Sequence, residues 1–300
     1  LLHEAARLAG GHATQLIEVA RLQAQAGAGE ASETNLRKAL EIDPESLLAR
    51  RELAVLMTRQ GRAVEAVELL QTALASAPDD VSLLALLADI KMSQGRADEA
   101  IALYESARRI QDGPELIAKL YRARRTRGQE ELAFAELVEG HRQRPDEPLV
   151  MRLLADERHA RGESSEAIRL YRRLVELQPD SMVAHNNLAN LLLPVDAEDA
   201  LRAALRAQEL GPDNASVLDT LGWTLVQLGE LERGLAYLRE AVARNSRSPT
   251  LRYHLAVALD EYGNKVEARR ELERALKMPD PFPAREQASR RLQRLAVSDR

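Results

Sequence analysis

The sequence predicts an all-α protein, a right-handed solenoid superhelix of stacked helix pairs closed by a C-terminal capping helix. Three periodic observations carry that expectation. A leucine recurs at Leu53, Leu87, Leu120, Leu154, Leu188, Leu221 and Leu255, every 33 or 34 residues. The next residue is small at Ala54, Ala88, Ala155, Ala189, Gly222 and Ala256, with Tyr121 the exception. Eight residues after the leucine stands a glycine, at Gly61, Gly95, Gly128, Gly162, Gly229 and Gly263, with Gly27 in phase upstream.

Each element of the unit has a physical role. Apolar residues three or four apart put one face of each helix toward its partner. The small residue after the leucine lets the partner helix come within the usual ~8–10 Å. Ala66, Ala100, Ala133, Ala167, Gly234 and Ala268 do the same from the second helix. The glycine ends the first helix in a left-handed conformation that other residues adopt at a cost. Prolines at Pro44, Pro78, Pro145, Pro179 and Pro212 end second helices, and Asp79, Asp180 and Asp213 are expected to cap the next helix in each case. The phasing gives eight units: 13–46, 47–80, 81–113, 114–147, 148–181, 182–214, 215–248 and 249–282. The sixth lacks the glycine, so Pro194, Val195 and Asp196 are expected to form its corner. A single pair cannot bury both of its faces, so the units are expected to stack.

This period and order of residues resembles the tetratricopeptide (TPR) repeat family, over roughly the whole of 13–282. Residues 1–12 do not begin with methionine and have Leu2 and Ala5 in phase with a second helix. They are expected to be the remnant of a preceding, truncated repeat of a longer protein. Residues 283–300 read as a capping helix and a frayed tail. Leu292 and Leu295 would cover the last repeat, with Arg285, Glu286, Arg290, Arg291 and Arg294 facing solvent.

Composition narrows the function. Aromatics are only 3%, so alanine and leucine must fill the core. The formal charge is −5, from 42 basic and 47 acidic residues, which gives no polybasic field for nucleic acid. No apolar run approaches the ~20 residues of a membrane-spanning helix. There is no cysteine, hence no disulfide or thiol chemistry in this chain.

The residues also point away from catalysis. The histidines His3, His12, His141, His159, His185 and His254 form no HExxH or similar pair, and no zinc or other metal is expected. No nucleophile elbow or phosphate-binding glycine loop is present, so no cofactor is expected either. Carboxylates are plentiful, and solvated helix faces account for nearly all of them. The expectation is a non-catalytic protein.

In the family this sequence resembles, the first helix of each pair lines a concave groove that holds the partner. Positions two before and two after the recurring leucine lie four apart and share a face. The partner-binding candidates are Arg122, Arg125, Arg152, Asp156, His159, Asn186, Asn190, Asp219, Trp223 and Tyr253. A groove of amides, charges and aromatics suits a protein or peptide ligand, or a polar polymer such as a glycan. Plainer readings stand beside this one. Trp223 could fill the space left by Gly222. Arg122 and Arg152 could neutralise Asp156, part of the cluster Arg122, Arg124, Arg125 and Arg127 must be simple solvation because it wraps around a helix, and Asn186 and Asn190 could bridge repeats.

One TPR subclass grips a chaperone's C-terminal carboxylate with lysine, asparagine and arginine at these inner places. Here the order differs and Asp156 would repel a carboxylate, so that reading requires a neutral or positively charged ligand. The segments NNLANLLL (186–193), AQELGPDNASVLDTLGW (207–223), VQLGELERGLAYLREAV (226–242) and RYHLAVALDEYGNKVEARRELERAL (252–276) carry a narrower resemblance. They resemble the C-terminal repeats of large bacterial TPR lipoproteins of exopolysaccharide-export and exosortase (PEP-CTERM) loci. That resemblance implies a periplasmic or outer-membrane-associated assembly scaffold. A cytoplasmic regulatory module is the alternative.

Overall fold

A computed structural model describes residues 11–297, and every regular element in them is an α-helix. The chain forms two compact units, Leu1–Pro145 and Asp146–Arg300. Among its described residues the first holds four helix pairs: α1 (Ala13–Gln25) with α2 (Gly29–Ile42), α3 (Leu47–Arg59) with α4 (Ala63–Ser76), α5 (Val81–Ser93) with α6 (Ala97–Ile110), and α7 (Pro114–Thr126) with α8 (Glu130–Gln143). The second holds α9 (Pro148–Ala160) with α10 (Ser164–Leu177), α11 (Met182–Leu192) with α12 (Ala197–Leu210), α13 (Ala215–Gln227) with α14 (Leu231–Arg244), and α15 (Pro249–Glu261) with α16 (Lys265–Lys277). A last helix, α17 (Arg285–Val297), packs on α16. The expected remnant at 1–12 lies, apart from Gly11 and His12, outside the described residues.

The turns follow the glycines. Gly27, Gly61, Gly95, Gly128, Gly162, Gly229 and Gly263 all have φ between 75° and 93°, in the left-handed region. The corner without glycine is built differently. Helix α11 runs for only 11 residues, and the amides of Val195 and Asp196 both donate to the Leu192 carbonyl, at 2.8 and 2.7 Å. The Asp196 side chain then caps α12 by accepting from the Asp199 amide at 2.9 Å.

The other caps fall one residue later than expected. Asp80, Ser181 and Asn214 accept from the first turns of α5, α11 and α13, because the residue after the expected aspartate is the last one with extended backbone. Asp180 and Asp213 instead pair with Arg206 and Arg244, at 2.8 and 2.6 Å.

The core is thin, and alanine and leucine fill it. Ala54, Ala88, Ala155, Ala189 and Ala256 are wholly buried, as are Ala66, Ala100, Ala133, Ala167 and Ala268 opposite them. The approach is closest between α13 and α14. A Cβ added to Gly234 would lie 2.8 Å from the Gly222 carbonyl oxygen and 2.6 Å from a Val226 methyl. Among the described residues four glutamates depart from the solvated faces expected of them: Glu33, Glu136, Glu157 and Glu271 are buried. Arginines hold each one: Arg37 and Arg62 on Glu33, Arg108 and Arg124 on Glu136, Arg161 on Glu157, Arg252 and Arg274 on Glu271. At the C-terminal end Leu295 is buried and Leu292 packs beside it. Arg291 does not face solvent as expected. It turns back to Asp260 at 3.2 Å and donates to the Val257 carbonyl at 3.3 Å.

Neighbouring first helices touch one another directly: α1 on α3 and α3 on α5 in the first unit, α11 on α13 and α13 on α15 in the second. The layer that packs more closely takes the inside of a bend. The first helices therefore form the inner layer of each unit.

Candidate partner-binding face

Within each unit, inner side chains are held in place by the neighbouring repeat. At several seams the residue two after the recurring leucine, or after Val19 in the first repeat, is met by the residue just before the leucine of the next repeat. In the first unit Arg21 on α1 donates to Glu52 on α3 at 2.9 Å, and Lys119 on α7 donates to Asp89 on α5 at 2.6 Å. Burial alone would raise the Glu52 carboxyl. Hydrogen bonds from Arg21 and Arg51 outweigh it and hold the group below the usual carboxylate range.

The second unit repeats the device with amides and rings. The Tyr171 hydroxyl on α10 donates to Asp156 on α9 and accepts from the Asn187 amide on α11 at 2.8 Å. Asn190 on α11 donates to the Thr220 hydroxyl on α13 at 3.1 Å and to the Asn186 carbonyl, also at 3.1 Å. On α15, His254 places Nδ1 2.8 Å from Asp219 and stacks its ring on Trp223, with centroids 4.7 Å apart and planes at 16°.

Tyr171 has a counterpart in Tyr104 of the first unit, which donates to Asp89 at 2.5 Å. Both phenols are pushed well above the ordinary tyrosine value, by burial first and by the hydrogen bond to a carboxylate second. Each tyrosine is thus fixed as a donor that aims an aspartate at the inner face.

The expected residues are distributed accordingly. Arg122 and Arg125 belong to the first unit and are exposed on α7. The other eight belong to the second. Arg152 lies 3.5 Å from Asp156 on the same helix, so the pair is intrahelical and does not bridge repeats. His159 and Asn190 are exposed, and Asn186 is half-buried. Its Oδ1 is buried and meets no hydrogen-bond partner among the described residues. Asp219 is buried and its carboxylate is engaged by His254, which removes it from the accessible face. Trp223 is half-buried with one face against His254 of the next repeat, and the space beside Gly222 is taken by Leu238 and the Gly234 carbonyl instead. Tyr253 is half-buried between His254 and Phe282, with ring centroids 5.9 and 6.2 Å away.

Tyr171, Asn187, Thr220 and His254 were not among the expected residues. Three of them sit immediately before the recurring leucine, and that position is the signal that would have found them. Between α9, α10 and α11 the inner face opens into a depression of about 200 Å³, lined by Asp156, His159, Tyr171, Asn187, Asn190 and Leu191. Among the described residues no group of three or more potential ligands could hold a metal ion. No described helix is long and apolar enough to cross a membrane.

Paired helices stacked through alanine and glycine, with an inner layer of fixed polar groups, define a repeat solenoid. Comparison with known proteins agrees. The tetratricopeptide repeat family is matched over residues 23–90, 57–124 and 220–286, together just over half of the chain. The chain belongs to the tetratricopeptide-repeat proteins, which in general are non-catalytic scaffolds for protein or peptide partners.

A TPR repeat-containing protein of Pseudomonas aeruginosa, PA4667, is 28% identical over 153 residues, 47% of this chain and 25% of that protein. The chain thus spans about a quarter of the length of that curated relative. Among solved structures, the APC/C hetero-tetramer Cut9-Hcn1 matches with a TM-score of 0.62 at 14% identity, over 89% of this chain and 52% of that one. At that identity the likeness speaks for the fold alone. MamA from Desulfovibrio magneticus RS-1 matches more loosely, with a TM-score of 0.48 at 18% identity over 55% of this chain and 94% of that one.

Proposed function

We propose that the chain is a non-catalytic interaction scaffold that binds an extended segment of a partner protein along α9, α11, α13 and α15. One observation carries this reading. Asn190 and Asp219 are held by side chains of the next repeat, and Asp156 by Tyr171, which the next repeat's Asn187 holds in turn. Little ordering entropy of these groups therefore remains to be lost when a ligand arrives.

A photo-crosslinking residue at His159 tests the reading against one at Arg172, which is exposed on the second helix α10. Adducts from position 159, but not from 172, are expected in the producing cell. Equal yields from both positions would remove the inner face from consideration.

We propose further that the setting is the bacterial envelope, in assembly of a polysaccharide-export or protein-sorting system. What supports this is the resemblance of residues 186–276 to lipoproteins of such systems. Fractionation of the native protein decides it: recovery with periplasm or outer membrane is expected. Recovery with cytosol would favour a regulatory module there.

A further inference from the structure

We infer that the depression between α9 and α11 receives a basic side chain, lysine or arginine, from the bound segment; this rests on the peptide-binding reading above. The argument is an inventory of donors and acceptors. Asn190 places its amide nitrogen on the Asn186 carbonyl and the Thr220 hydroxyl, so its Oδ1 is what remains for a ligand. Tyr171 points its only proton at Asp156, and Asn187 points its amide at Tyr171. The Tyr171 hydroxyl and the Asn187 and Asn190 amide nitrogens are therefore engaged within the protein. The lining groups left accessible are the Asp156 carboxylate, 44% exposed, the exposed Asn190 with its free Oδ1, and the exposed His159 imidazole. A surface rich in acceptors and poor in donors is matched by an ammonium or guanidinium group.

Size and shape agree. About 200 Å³ is below the ~300–1,000 Å³ typical of small-molecule pockets, and suits one side chain. Leu191 supplies an apolar wall for an aliphatic stem. Arg152 is the internal competitor. It is 3.5 Å from Asp156 but more than a third exposed, so an incoming cation can displace it at small cost. The same carboxylate that repels a chaperone-type C-terminus thus becomes the recognition group for the opposite charge.

The test selects displayed dodecapeptides on the whole chain at low salt, then measures the affinity of an enriched peptide. The expected sequences share one lysine or arginine. Replacing it by norleucine, or replacing Asp156→Asn in the protein, should each weaken binding by about tenfold or more. The two changes together should do little further harm, because they remove the same interaction. Asp156→Asn keeps an acceptor for Tyr171, so folding is preserved, and an unchanged melting curve checks this. Arg152→Ala should tighten binding, which a merely structural role for Asp156 would not produce. Enriched peptides without a basic residue, or no coupling between that residue and Asp156, would overturn the basic pocket while leaving the peptide groove intact. If peptides of every composition fail to bind, the groove reading falls and the pocket with it.

Discussion

His254 on α15 holds Asp219 of the preceding first helix at 2.8 Å while its ring lies flat on Trp223. One side chain thus closes both an acid and an aromatic against the next repeat. Since Trp223 is the chain's only tryptophan, its fluorescence reports this contact directly. In a His254→Ala variant Asp219 stays buried without its partner, at a cost of about 1–3 kcal/mol. Trp223 emission should shift to the red in the folded state. Thermal unfolding and an emission spectrum check both effects, and an unchanged spectrum would mean that the stack does not persist in solution.

Gly234→Ala should destabilise the protein although alanine is the better helix former by ~1 kcal/mol. The new methyl meets the Gly222 carbonyl oxygen at 2.8 Å, a backbone atom that cannot move aside alone. Overpacking of this kind costs ~1–3 kcal/mol, so denaturant unfolding should show a net loss.

Ala155→Leu and Ala189→Leu test the same principle in α9 and α11, where both residues are wholly buried. Each should cost ~1–3 kcal/mol. Differential scanning calorimetry should show a lower melting temperature for both, and no change in either would contradict the close helix contact.

The two buried phenols predict the alkaline limit of stability. Tyr104 and Tyr171 have folded-state values raised above the ordinary tyrosine value, through burial and their aspartate partners. A raised value means the unfolded chain loses the proton first. Their contribution is therefore complete below about pH 10, the unfolded value, and is lost as pH rises toward the folded one. Absorbance near the tyrosinate band should show these two groups ionising only as the protein unfolds. Tyr171→Phe should flatten the alkaline fall in stability, and a phenol that titrates freely in the folded protein would oppose this account.

The features of the fold set by local chemistry were legible. The leucine period and the turn glycines dictate where helices start, stop and approach, and the left-handed φ values at all seven glycines follow from sequence spacing. Cap positions were off by one, because Asp79, Asp180 and Asp213 look as able to cap as the residues after them. The inner face was only partly legible. Positions two before and two after the leucine face inward by helical geometry, but what meets them comes from another helix, which a single sequence does not reveal. The residue before the leucine is polar at Glu52, Lys119, Asn187, Thr220 and His254, five of seven repeats, and next to a core leucine that pattern was easy to overlook. Tyr171, nearly fully buried on a second helix, reads as core until its hydroxyl is placed beside Asp156.

The bond from Asn187 to Tyr171 fixes the smallest portable piece of this surface. Asp156 and Tyr171 come from one repeat, and the amide that completes them comes from the following one. A graft or gene duplication that copied a single repeat would carry the aspartate without the group that steadies it. Only a block of at least two adjacent repeats transfers the recognition surface whole. The specificity of such a chain is written across the seams between its repeats, and recombination would have to respect those seams.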